Sequence, residues 1–280
     1  MTKWFEDHKD KVTWPVYVDN KFDGIRCERW KKGAFSRKGE EFHTIPHIIN
    51  ATEYLFDRFP DLVLDGELFN EDVKLSKMSG LVSVNTKPKD LTPELLAESG
   101  RYVRFYVYDA YGFADIKKET PFLERRQALQ RLLAGVPFVV PVQHEVANNE
   151  GQIRKTLEQK RKEGKEGIII RWGRCEYENK RSKFLLKMKV FETDEFQVTD
   201  IEEGTADWAG AAKIIYYRVN KGIAKGEIHK ANIEGSYPEL AEIYQNRAKY
   251  IGKWATIEFQ CYSEYGVPLI PYVRAFRCYE

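Results

Sequence analysis

Apolar and polar residues follow two different periods along the first two-thirds of the chain. "TWPVYV", "LVLDGELF" (62–69), "YVRFYVYDAY" (102–111) and "EGIIIRW" (166–172) are rich in β-branched and aromatic residues and predict strands. Helical spacing fills the gaps between them. Ile48, Ala51, Leu55 and Phe59 form one stripe over His47–Phe59. Thr92-Pro93 supplies an N-cap and a first-turn proline for a short helix over Leu95–Glu98, which Gly100 should stop. Thr120-Pro121 opens "FLERRQALQRLLAG" in the same way, with Gly135 at its end, and a charged helix is predicted from about Gln152 to Lys162. The mixture predicts an α+β domain with mainly antiparallel strands.

After Lys189 the pattern changes. "DEFQVTDIE", "AKIIYYRV", "KGEIHKA", "WATIEFQCY" and "PYVRAFR" predict five short strands, with one helix, Pro238–Arg247, between the third and fourth. That order is the layout of an OB barrel, a common oligonucleotide-binding fold; another small β-barrel is the alternative. The boundary is expected near 190, giving domains over 1–190 and 191–280. The chain carries no internal repeat and no low-complexity tract.

Composition narrows the classes. A chain of 280 residues holds one large domain or two ordinary ones, and 42% hydrophobic with 14% aromatic residues can build real cores. With 45 basic and 43 acidic residues the net charge is +2, so affinity for nucleic acid must come from charge gathered on one face. Cys27, Cys175, Cys261 and Cys278 lie far apart with no CxxC pair, which argues for reduced thiols over a disulfide framework or zinc knuckle. The opening "MTKWFEDHKDK" lacks the apolar core of a signal peptide, and no apolar run approaches the ~18 residues that span a bilayer. A soluble, cytoplasmic protein with no membrane segment is expected.

Candidate chemistry starts at "DNKFDGIRC" (19–27). If strand geometry holds through Asn20, Asp19 and Lys21 share one face, Gly24 permits a tight turn or close backbone approach, and Arg26 follows just beyond. Similar residues recur at strand ends. "SRKG" (36–39) sets Arg37 beside a turn glycine, and "LDGELF" puts Asp65 and Glu67 on the face opposite Leu64 and Leu68. "YVYDAY" places the aromatic Tyr108 next to Asp109, and "KEGIIIRW" brings Glu166 to the start of an apolar strand. In "FLLKMKV" (184–190), Lys187 and Lys189 alternate with apolar residues and share the face away from the core. Each has a plainer reading: edge-strand lysines that prevent aggregation, a core tyrosine, surface carboxylates.

The ensemble decides between them, because it suits attack by a lysine amine on the α-phosphate of a nucleoside triphosphate. The amine must be neutral, and nearby cations such as Lys187 and a magnesium ion favour that form. Cations and metal also stabilise the charge that gathers on the phosphate oxygens, hard carboxylate oxygens of Glu67 and Glu166 suit the metal, and Tyr108 can stack on the base. There is no GxxxxGK[ST], and Pro46 between His43 and His47 rules out an HExxH-type helix.

Taken in order, "KFDGIR", "FSRKG", "LDGEL", "VYDAY", "EGIIIR" and "LLKMK" resemble the six motifs of the covalent nucleotidyltransferase superfamily, and within it the ATP-dependent DNA ligases of minimal viral or phage type. "YENKRSKFLLKMK", "TPFLERRQAL" and "YGVPLIP" are ligase-like too, so the resemblance covers nearly the whole chain. It implies a nucleotidyltransferase domain followed by an OB domain. Such an enzyme seals nicks in duplex DNA with ATP as co-substrate and Mg²⁺ (or Mn²⁺) as metal, and a monomer is expected. Lys21 would form the phosphoramide with AMP. Asp19 would contact the adenine amine, Tyr108 stack on adenine, and Arg26 and Arg37 meet the ribose and nick phosphates. Lys187 and Lys189 would engage the α-phosphate, Arg181 approach the nucleotide or nick, and Glu67 and Glu166 support the metal.

The last family motif is reduced to "RCYE", leaving Arg277 to carry over. The helical DNA-binding domain of large cellular ligases is expected to be missing, since 20 residues precede Lys21, and the short "NKGIAKG" loop leaves no room for a clamping insertion. An mRNA-capping guanylyltransferase or an RNA ligase of the same superfamily is the rival enzyme, and a non-catalytic nick-binding module the rival class.

Overall fold

A computed structural model describes residues 9–180 and 182–277. The chain divides into two compact units, one ending at Met188 and the other beginning at Lys189.

The first unit is built on two sheets. The strands of one are β1 (Val16–Asn20), β7 (Glu145–Ala147), β8 (Gly167–Trp172) and β9 (Leu185–Lys189), in the order β7-β1-β8-β9. The other comprises β2 (Ile25–Trp30), β3 (Gly33–Phe35), β4 (Val63–Phe69), β5 (Arg104–Tyr111) and β6 (Val139–Pro141), in the order β3-β2-β4-β5-β6. Pairing is antiparallel except between β5 and β6. The five-stranded sheet packs its apolar face, including Cys27, Leu64, Leu68, Phe105 and Val107, into one core. A second core surrounds Val16, Val18, Ile168, Ile170, Leu186 and Met188.

Helices cover these faces. α1 (Pro46–Arg58) starts on its proline and buries Ile48, Thr52, Leu55 and Phe56. Thr52 can sit there because its hydroxyl donates to the Ile48 carbonyl at 2.8 Å. α2 (Leu75–Leu81) has no counterpart in the sequence expectations; it is one short turn-rich segment held by Met78 and Leu81. α3 (Pro93–Tyr102) begins as expected, with Thr92 Oγ1 accepting from Leu95 N at 3.2 Å, but runs through Gly100. A glycine ends a helix by adopting positive φ; Gly100 does not, and the Val103 amide closes the last turn onto the Ser99 carbonyl. α4 (Phe122–Leu132) lends Phe122 and Leu123 to one core and Ala128, Leu129 and Leu132 to the other, so it joins the two sheets. α5 (Glu150–Lys162) is capped by Asn149, whose Oδ1 accepts from Gln152 N at 3.0 Å.

The second unit is a closed barrel of β10 (Glu192–Glu203), β11 (Ala212–Arg218), β12 (Ile228–Ile233), β13 (Trp254–Phe259) and β14 (Tyr272–Arg277), in the order β10-β11-β12-β14-β13. β10 is long enough to pair with β13 through Glu192–Gln197 and with β11 through Gln197–Glu203, which closes the cylinder. β12 and β14 run parallel. α6 (Tyr237–Gln245), fixed by a Ser236/Glu239 capping box, lies between β12 and β13 and adds Leu240 to a core of Phe196, Ile215, Tyr217, Ile257 and Phe259. Five strands in this order with a helix after the third make an OB fold. No helix among the described residues is long and apolar enough to cross a membrane.

One glycine is indispensable to the first unit. A Cβ on Gly66 would lie 2.3 Å from the Tyr106 carbonyl oxygen and 2.9 Å from Val107 Cα, both backbone atoms that cannot step aside. Gly66→Ala should therefore cost about 2–3 kcal/mol, typical of an overpacked core site, read as an earlier urea midpoint with unchanged slope.

Candidate active site

Backbone pairing places the reactive groups before any side chain acts. Val18 and Asn20 of β1 lie opposite Ile170 and Ile168 of β8, and the Lys21 amide extends the ladder by donating to the Gly167 carbonyl at 2.9 Å. The strand assignment ends at Asn20, one residue short of Lys21. That pairing sets Lys21 beside Glu166, and the Lys21 ammonium forms an ion pair with the Glu166 carboxylate.

The second sheet supplies the other wall. Arg26 of β2 lies across from Glu67 of β4. The β4–β5 register then slips: Asp65 pairs with Asp109 and Gly66 with Val107, leaving Tyr108 as the extra residue of a β-bulge. Bulges re-aim side chains. Here the Tyr108 ring comes under the influence of Asp65, Glu67 and Arg26, with the Arg171 guanidinium 5.3 Å from its centre. Burial pushes the Tyr108 phenol well above its usual range, and the two carboxylates add to the effect.

Electrostatics links the two walls. Burial raises the Glu67 carboxyl to about 7, against the pull of Lys21, Lys187 and Arg26. Lys187, exposed on β9 between buried Leu186 and Met188, is pushed below the ordinary lysine value by desolvation, then by Lys21; Arg37 adds to this while Glu67 and Glu166 oppose it. Lys21, Arg26, Arg37, Glu67, Tyr108, Glu166 and Lys187 thus belong to one constellation within the first unit. Arg26 and Arg37 also line a cavity of about 330 Å³ with Ser36, Lys38, Ser79 and Ser83.

Other expected residues stand apart. Asp19 is buried, with Oδ1 3.2 Å from Arg126 and Oδ2 unpartnered among the described residues. Lys189 opens the second unit and donates to Gln260 Oε1 at 2.9 Å. Arg277 is held in the barrel by Thr256 Oγ1 at 2.7 Å and Glu195 at 3.2 Å. Arg181 lies outside the described residues, as does the rest of the "RCYE" segment after Arg277. Among the described residues no three His, Cys, Asp or Glu side chains gather into a metal cage. The two carboxylates of the constellation, Glu67 and Glu166, are hard oxygen donors of the kind that suit a hard cation taking its other ligands from substrate oxygens and water.

The family model for the ATP dependent DNA ligase domain matches residues 2–189. The chain belongs to the ATP-dependent DNA ligase family. A DNA ligase of African swine fever virus (isolate Warthog/Namibia/Wart80/1980) is 26% identical over 72% of this chain and 46% of its own length. The DNA ligase of Enterobacteria phage T6 is 25% identical over 89% of the chain and 60% of its own length. The chain therefore spans about half to three-fifths of these relatives. Among solved structures, a Lig E DNA ligase shares the fold at TM-score 0.72 and 21% identity, covering 97% of this chain and 96% of that one. The ATP-dependent DNA ligase of bacteriophage T7 does so at TM-score 0.54 and 17% identity, covering 99% and 96%.

Several residues that shape this ligase-family site escape sequence reasoning. Arg125 makes a bidentate pair with Asp109 at 2.8 and 2.9 Å, and Arg171 reaches the same carboxylate at 3.0 Å. Arg126 donates to the Tyr108 carbonyl, tying α4 to the bulge. Asp65 grips Arg26 through Nε and Nη2, both at 3.0 Å. The only sequence signal is a double arginine inside an otherwise amphipathic helix, which reads equally well as a solvated face.

The Glu67 shift gives a signed expectation. A carboxyl raised from 4.5 to about 7 on folding costs stability as pH climbs through that interval, and the cost is complete above pH 7. Glu67→Gln should thus melt about 2–4 °C above the parent at pH 8, roughly 1 kcal/mol, with the difference nearly gone below pH 5 in paired thermal scans.

Proposed function

We propose that this protein is an ATP-dependent DNA ligase that joins the 5′-phosphate and 3′-OH of a nick in duplex DNA. The observation that carries the reading is the Lys21 amine held against Glu166 at the β1–β8 junction, faced by Glu67, Lys187 and Tyr108. Lys21 Nζ, having lost a proton, attacks the α-phosphorus of ATP; a P–N bond forms and the bond to pyrophosphate breaks. The nick 5′-phosphate then displaces Lys21 to give a DNA-adenylate, and the 3′-OH attacks that phosphate and expels AMP.

Each neighbour has a part. Tyr108 stacks on adenine and Asp19 offers its unpartnered oxygen to the exocyclic amine. Lys187 and Lys189 meet the α-phosphate, Arg26 and Arg37 the ribose and nick phosphates, and Arg181 the nucleotide or nick. Glu67 and Glu166 would hold Mg²⁺, or Mn²⁺ in its place, whose charge offsets that of the triphosphate oxygens. The OB unit serves ATP and DNA in turn, with Arg277 as its contribution toward the leaving pyrophosphate. The enzyme acts as a monomer in the cytoplasm, and its grip on DNA falls steeply with salt because phosphate contacts supply it.

Incubation with labelled ATP or GTP tests this directly. Label from ATP, acid-labile, absent in Lys21→Ala and discharged by nicked duplex, is the expected result. Label from GTP would indicate a capping guanylyltransferase, discharge only on RNA would indicate an RNA ligase, and no label would indicate a binding module. In the same assay Lys187→Ala should take up no AMP while keeping its circular dichroism. Tyr108→Leu should raise the ATP needed for half-maximal labelling by roughly tenfold, the worth of one lost aromatic stack.

A further inference from the structure

Asp65 is the partner of Arg26, but its carboxylate has a third donor. Tyr177 Oη donates to Asp65 Oδ2 at 2.9 Å, while Arg26 occupies Oδ1 through Nε and Oδ2 through Nη2, each at 3.0 Å. Tyr177 belongs to neither strand of the site; it sits in the connection between β8 and β9, far from Asp65 in sequence.

The position of its hydroxyl is fixed from several sides. The ring packs on Tyr111 of β5 with centroids 4.7 Å apart, the Arg125 guanidinium stands 5.9 Å from its face, and its amide donates to the Lys118 carbonyl at 2.8 Å. Burial, reinforced by Asp65, drives the phenol far above its ordinary range, so it remains a donor at any working pH. Asp65 is itself buried, and the side chain of Arg26 is about one-third exposed.

We infer that Tyr177 is a positioning residue: its hydroxyl, by completing the Asp65 carboxylate, locks the Arg26 guanidinium in the orientation that receives the nick phosphate. A buried carboxylate with two of its lone pairs taken by one bidentate arginine can still swivel with that arginine. A third donor anchored to the five-stranded sheet and to α4 removes that freedom on the Asp65 side, while Glu28 Oε1 takes Arg26 Nη2 at 2.8 Å. The same residue ties the segment that follows β8 to the opposite wall. Arg26 and the strand bearing Lys187 are thereby held in one frame.

This inference rests on the ligase reading, and the test separates the two. Tyr177→Phe keeps the ring stack and deletes one hydrogen bond. Self-adenylation with ATP is compared with single-turnover sealing of a pre-adenylated nick, which bypasses the first step. The expected result is labelling within twofold of the parent and sealing slowed about tenfold, the worth of one hydrogen bond to a charged group. In an Arg26→Ala background Tyr177→Phe should add no further loss, because the hydroxyl acts through Arg26. Equal slowing of both reactions, no slowing of either, or additive losses in the double variant would overturn the positioning role while leaving the ligase reading intact. A parent protein that neither labels nor seals would overturn both.

Discussion

Five buried charges hold the first unit together: Asp19 and Asp109 with Arg125, Arg126 and Arg171. Removing charges from water is expensive, and such a group is tolerated where opposite charges and hydrogen bonds offset that cost. Here they do so across the fold. Arg171 of β8 and Arg125 of α4 converge on Asp109 of β5, while Arg126 joins Asp19 of β1 and the carbonyls of Tyr108 and Val142. One sheet is thus tied to the other through α4. Three guanidinium groups against two carboxylates leave a cation over, and the carbonyls of Thr120, Tyr108, Val142 and Cys175 accept further hydrogen bonds from Arg125 and Arg126. Apolar packing alone would join the sheets with less orientation, since dispersion is non-directional and guanidinium–carboxylate contacts are not.

That fixed relation between sheets is what turns scattered residues into a site. Lys21, Glu166 and Lys187 lie at one sheet and Arg26, Glu67 and Tyr108 on the other, so the constellation exists only where the two sheets face each other. The bulge at Tyr108 and the absence of a Cβ at Gly66 are two aspects of one adjustment. The slip in register brings the strands too close for a side chain at Gly66 and turns Tyr108 toward the carboxylates. Burial then does the electrostatic work, lifting Glu67 toward neutrality and pressing Lys187 downward.

The barrel is organised on another principle. Its core is apolar, its closure rests on one long strand that pairs first on one side and then on the other, and its irregularities fall at bulges in β10, β11 and β14. A closed barrel leaves no unpaired edge. The charged network of the first unit has no counterpart in the barrel core.

What the sequence determined was whatever depends on near neighbours. The strands with strong β composition, the proline-marked helix starts, the Thr92 cap and the alternation that buries Leu186 and Met188 while exposing Lys187 are all local consequences of side-chain type and period, although Thr120, read as a second cap, accepts from Lys117 N instead. The ordered motifs also made the family legible. Weak elements were not: β2 and β3 are short and mixed in polarity, α2 is only a few residues long, and Gly100 reads as a stop although its backbone stays helical. Tertiary structure alone decided which charges face one another. The pairing of Tyr177 with Asp65, the burial of Arg125 and Arg126, and the hydrogen bond from Lys189 to Gln260 depend on contacts between distant segments. A charged side chain looks the same in a sequence whether water or a carboxylate will receive it, and only the folded chain brings in the partner that tells them apart.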